Sequence, residues 1–92
     1  MSLSELPEGA LPLGPDNYYT KGMIDNVWVG IIEYHRTSQG WCGGWVPFNV
    51  HPHANDAHWT VNSLEPLDLS PSLLCTICGN HGFIREGRWV PA

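Results

Sequence analysis

Cys75-Thr76-Ile77-Cys78-Gly79-Asn80-His81-Gly82-Phe83-Ile84-Arg85-Glu86-Gly87-Arg88-Trp89-Val90 reads as a metal knuckle that runs straight into a β-hairpin. Two thiols two residues apart, with Gly79 directly after the second, suit a tight turn that aims both sulfurs at one point. Gly79 tolerates positive φ, and backbone N–H groups of the turn can donate to the thiolates. A redox pair of the thioredoxin kind would lie between a strand and a helix; here a glycine and a hairpin follow. Within the hairpin, Glu86-Gly87 is a two-residue turn, although Glu suits its first position less well than Asn or Asp. The register this implies sets Arg85 opposite Arg88, Ile84 opposite Trp89 and Phe83 opposite Val90. The two arginines then need solvent or a carboxylate between them.

A structural zinc ion takes four tetrahedral ligands, usually thiolate or imidazole. Cys75 and Cys78 supply two. His81, three residues past Cys78 in an adaptable Asn-His-Gly loop, and Cys42, in Trp41-Cys42-Gly43-Gly44, complete the expected set, with His35 as the alternate ligand. The competing roles are a surface histidine for His81 and a small buried core residue for Cys42, as free cysteines often are. His58 sits beside Trp59 at a strand start, where packing is the expected role. His51 and His53 flank Pro52 in a loop with no anchoring strand.

The 92 residues fit one domain, and a chain this short gains little net stability from its core. Bound zinc would add roughly 10 kcal/mol of apparent stabilisation. The fold class expected is small and mostly β: a zinc-ribbon-like domain over residues 23–92, preceded by an extended or mobile arm over residues 1–22. The arm is rich in Pro, Gly and acids, though its leucines and Tyr18-Tyr19 could line the domain surface. Asn26 to Tyr34 reads as a strand with Val27, Val29 and Ile31 on one face. Trp45 to Val50 is a second strand, which Pro47 assigns to an edge. His58 to Asn62 is a third. Leu64 to Leu74, with Pro66 and Pro71, is extended rather than helical.

The formal net charge is −5, and Lys21, Arg36, Arg85 and Arg88 are the four basic residues. Phosphate binding needs a dense basic face, so nucleic acid and anionic membrane are disfavoured. Three cysteines do not make an even disulfide framework, and residues 1–7 lack the basic and apolar regions of a signal peptide. No apolar run approaches the roughly 20 residues of a membrane span. The expectation is a cytoplasmic protein with reduced, metal-competent thiols.

The run from Glu65 through Leu69-Ser70-Pro71-Ser72-Leu73, Cys75, Cys78-Gly79, His81-Gly82-Phe83-Ile84-Arg85, Gly87 and Trp89 resembles a group of small bacteriophage and prophage proteins, especially of actinobacteria, that share a domain of unknown function. The match covers about a third of the chain, and His35 with Cys42-Gly43-Gly44 is similar to the group's upstream half. The resemblance implies a phage-encoded accessory protein in the host cytoplasm and favours Cys42 and His81 over His51, His53 and His58 as site residues.

The function expected on these grounds is non-enzymatic: a structural-zinc domain that binds a host or phage protein. Five tryptophans are too many for so small a core to bury with ease, and Trp41 and Trp45, beside the glycines, are the candidate interface anchors. A nucleic-acid-binding ribbon, using Arg85 and Arg88, is one alternative. A metal-dependent hydrolase, with Glu86 or Asp68 as base, is the other.

Overall fold

The alternation of residues along β4 (Val27–Thr37) sets the frame. Val29, Ile31, Glu33 and His35 are all buried, and their odd numbering puts them on one face of the strand. Val27, expected on that face, is exposed at the strand's start, where a register shift between Gly22 and Met23 displaces it. The structure is a computed structural model that describes residues 2–49 and 58–92.

β4 is the central strand of a five-stranded antiparallel sheet. It pairs with β3 (Asn17–Ile24) on one side and β5 (Gly40–Pro47) on the other. β1 (Ser2–Leu3) continues the sheet beyond β5, and β2 (Leu11–Gly14) beyond β3. Asp25 and Asn26, both at positive φ, turn β3 into β4. Residues 1–22 therefore do not form an arm apart from the domain. β1, β2 and the first part of β3 belong to the sheet, and Leu13 and Asn17 are buried. The prolines and glycines that suggested mobility fall in and beside short paired strands, which they punctuate. Pro47 ends β5 and does not mark an edge: β5 lies between β4 and β1.

The second half of the chain makes two smaller units that cover the inner face. β6 (Thr60–Leu64) and β7 (Leu67–Ser70) form a hairpin. β8 (Leu73–Leu74), β9 (His81–Arg85) and β10 (Arg88–Pro91) form a three-stranded sheet in the order β10-β9-β8. The C-terminal hairpin has the register anticipated above: Arg85 faces Arg88, Ile84 faces Trp89 and Phe83 faces Val90. Glu86 and Gly87 both have positive φ, at 50° and 77°, as a type I′ turn requires. The arginine pair is relieved by stacking, since the Arg85 guanidinium lies 4.2 Å from the Phe83 ring centroid. Two bonds join the units: Gly87 N–H donates to Leu67 O at 2.7 Å, and Glu86 N–H to Asp68 Oδ2 at 3.1 Å.

The core is the layer between these units. Leu13, Ile31, Val46 and Phe48 come from the first half of the chain; Leu67, Leu69, Leu73 and Ile84 come from the second. Burying each such side chain stabilises the fold by roughly 1.5–3 kcal/mol. On the other face of the large sheet, Trp45 lies across Gly22 and Gly30. A methyl group at Gly30 would meet the indole at 2.5 Å and Val46 O at 2.7 Å, so the ring's resting place depends on the missing side chain. Among the described residues no helix is long and apolar enough to cross a membrane.

Candidate metal centre

Cross-strand register creates half of the centre. The hairpin between β4 and β5 pairs Thr37 with Gly40 and therefore sets His35 directly opposite Cys42. Facing residues in an antiparallel pair share a face with Cβ atoms about 5 Å apart. Both side chains point inward and are almost fully buried.

The other half is the turn after β8. Gly79 N–H donates to Cys75 O at 2.8 Å, Cys75 N–H donates to Asn80 O at 2.8 Å, and Gly79 has φ of 80°. This turn brings Cys75 and Cys78 to the inner end of the His35–Cys42 pair. The four donor atoms of His35, Cys42, Cys75 and Cys78 all lie within 4.8 Å of one another. Cys42 Sγ is 3.6 Å from Cys75 Sγ, and His35 Nε2 is 3.0 Å from Cys78 Sγ. A tetrahedral ion with bonds of about 2.3 Å to sulfur requires sulfurs about 3.7 Å apart, which the first separation matches. The cluster could hold a metal ion.

Glu33 supports the histidine from the same face of β4, two residues away. Its Oε1 is 2.9 Å from His35 Nδ1, and Asn17 Nδ2 donates to Oε2 at 3.4 Å. With the Nδ1 proton donated to Glu33, the Nε2 lone pair is directed at the sulfurs, as in metal sites where a carboxylate orients the histidine ligand. Burial raises the Glu33 carboxyl above its usual range, against the opposing pull of His35 and Asn17. Burial, with the neighbouring Cys75 thiol, pushes Cys42 up to about 11. At Cys75 burial also works to raise the value, but hydrogen bonds from the Cys78 and Ile77 backbone outweigh it and bring the thiol down to about 6. The knuckle thus favours thiolate at the sulfur closest to Cys42.

Of the expected ligands, Cys42, Cys75 and Cys78 come together and His81 does not; the alternate His35 is the fourth member. The Cys75–Asn80 backbone bond closes the turn one residue before His81, which already opens β9 and faces outward. Its Nε2 lies 2.8 Å from Ser72 Oγ, with the Phe83 ring alongside. Ser72 carried no sequence reading, yet a signal exists. Leu74 pairs with His81, so Ser72, two residues before Leu74 on the same face, is His81's diagonal neighbour across the strands. His58 is exposed and outside the cluster, and His51 and His53 lie outside the described residues.

Other expected site residues are placed as follows. Trp41, a candidate interface anchor, is buried, with Tyr18 edge-on at 5.6 Å and the Arg36 guanidinium 4.3 Å from its ring centroid. Trp45 remains 47% exposed. Three of the four cations sit on aromatic rings: Lys21 on Trp28, Arg36 on Trp41 and Arg85 on Phe83. Arg36 also pairs with Asp16 at 3.0 Å. Asp68 is half-buried, and its carboxylate accepts from Asn62 and the Glu86 backbone, while Glu86 occupies the distal turn. Neither supplies a base to the cluster; the carboxylate in contact with it is Glu33.

Residues 38–92 match the model of the bacterial ubiquitination-like system serine protease family, BubE. The match covers more than half of the chain, and the chain belongs to that family. No curated protein and no solved structure matches the chain.

Proposed function

We propose, on the premise of this family membership, that the chain is a serine hydrolase built on a zinc-stapled β scaffold, and that it acts on a protein linked through a ubiquitin-like modifier. The observation that carries the reading is the 2.8 Å separation between Ser72 Oγ and His81 Nε2, both inside the family-matched stretch. This replaces the non-enzymatic role expected from composition. A hydroxyl nucleophile within hydrogen-bond reach of an imidazole base is the minimum constellation for acyl transfer.

Ser72 Oγ attacks the carbonyl carbon of an amide or ester as its proton passes to His81 Nε2. The same proton then goes to the departing amine or alcohol, leaving an acyl-serine. Water, deprotonated by His81, releases the acid and restores the serine. The protein partner expected from the sequence becomes the substrate, and the exposed Trp45 is available as a contact.

Zinc is the ion that three thiolates and one imidazole select. Four protein ligands leave no position for substrate or water, so the ion's role is structural and the chemistry rests with Ser72 and His81.

A fluorophosphonate reagent, which loses fluoride to an activated serine oxygen, tests the reading. Mass spectrometry should locate the adduct on Ser72. Ser72→Ala should abolish it, and His81→Ala should slow it by about 10²–10⁴-fold. No adduct on the zinc-loaded parent would overturn the hydrolase reading.

A further inference from the structure

We propose that Cys75 and Cys78 are positioning residues for the Ser72–His81 pair, and that the ion they bind sets the reach between hydroxyl and imidazole without touching either. The proposal rests on the hydrolase reading above and adds what holds its two reacting groups in place.

The topology makes the connection short. Ser72 lies three residues before Cys75, and His81 three residues after Cys78. Ser72 directly precedes β8 and His81 opens β9, the two arms of one hairpin whose turn is the knuckle itself. That hairpin has two paired positions, Leu73 with Gly82 and Leu74 with His81. So short a ladder is not stable alone. The arms are kept together at the turn by the Cys75–Asn80 and Cys75–Gly79 backbone bonds. The turn is in turn fixed to the large sheet where its sulfurs meet Cys42 and His35.

The pair has little other support. His81 is exposed and Ser72 half-buried. Trp59 Nε1 donates to Ser72 O at 3.2 Å and the Phe83 ring flanks His81. Among the described residues no carboxylate bonds the second nitrogen of His81. In a Ser-His-Asp triad that carboxylate fixes the imidazole; here the backbone of β9 carries the ring, and the knuckle carries β9. A displacement near 1 Å between reacting groups costs about 100-fold in rate. Such a displacement is what a β8–β9 hairpin released from the large sheet would undergo.

The test uses the full chain as parent, Cys78→Ser and Cys78→His, the last exchanging one zinc ligand for another. Each is titrated with zinc. Three quantities are followed: fluorophosphonate labelling of Ser72, the folded fraction by far-UV circular dichroism, and the His81 ring-proton resonances. In Cys78→Ser, the labelling rate per folded molecule should fall about 10- to 100-fold, with the His81 resonances moving to those of a ring that no longer contacts Ser72. Cys78→His with zinc should recover both. If Cys78→Ser is too unstable to compare, the zinc titration of the parent decides: labelling and His81 shifts that rise beyond the folded fraction support the proposal. Labelling that tracks the folded fraction alone, or an unchanged rate in folded Cys78→Ser, overturns it. An unlabelled zinc-loaded parent overturns the hydrolase reading instead.

Discussion

Glu33 and His35 are bonded to one another on the inner face of β4, with Oε1 2.9 Å from Nδ1, and the opposite ring nitrogen faces the thiol of Cys78. The bond fixes both the tautomer and the tilt of the imidazole. Removing the negative charge while keeping the shape should weaken metal binding without dismantling the sheet. Glu33→Gln is expected to lower zinc affinity about 10- to 100-fold, read by competition with a chromophoric chelator.

The two histidines nearest the knuckle in chain and in space should behave oppositely. His35→Ala should reduce zinc well below one ion per chain by elemental analysis, together with thermal stability. His81→Ala should leave zinc content and melting temperature close to those of the parent, since its ring meets Ser72 outside the cluster. Equal zinc loss in both variants would contradict the ligand set.

Ile84 is fully buried where the C-terminal hairpin meets the core cluster. Ile84→Ala leaves a cavity between the two halves of the chain and should cost about 2–5 kcal/mol in denaturant unfolding of the zinc-loaded protein. Val90, 37% exposed on the neighbouring strand, should tolerate alanine with a much smaller loss.

Glu86 takes a left-handed conformation that Asn adopts more readily, while its side chain is exposed at the turn. Glu86→Asn keeps the backbone N–H that Asp68 accepts and supplies the favoured Asn-Gly turn. It should stabilise the protein by roughly 0.5–1 kcal/mol, read as an upward shift of the denaturant midpoint.

Local patterns in the sequence were informative wherever a short-range rule governs the structure. The turn chemistry of Glu86-Gly87 determines the C-terminal register, and Cys75-x2-Cys78-Gly79 identifies the knuckle. Cys42 follows as the remaining thiol. What escaped were partnerships between strands. His81 is close to Cys78 along the chain, and His35 is 43 residues away; yet strand pairing brings His35 in and turns His81 out. The same applies to Glu33, whose role depends on alternation along β4, and to Ser72, which meets His81 only once β8 and β9 pair. Residues 1–22 looked mobile because six of the 22 are Pro or Gly, while the pairing of β2 and β3 with the rest of the sheet depends on partners farther along.

One member of the candidate metal cluster and its orienting carboxylate, His35 and Glu33, precede the stretch that identifies the family. A fragment cut at residue 38 would retain the thiols, the hydroxyl and the outer imidazole, but lack the strand that gives the cluster its imidazole. Any minimal version of this protein must therefore begin upstream of β4, and any search for kindred sequences by donor pattern should look for the imidazole on the far side of that cut.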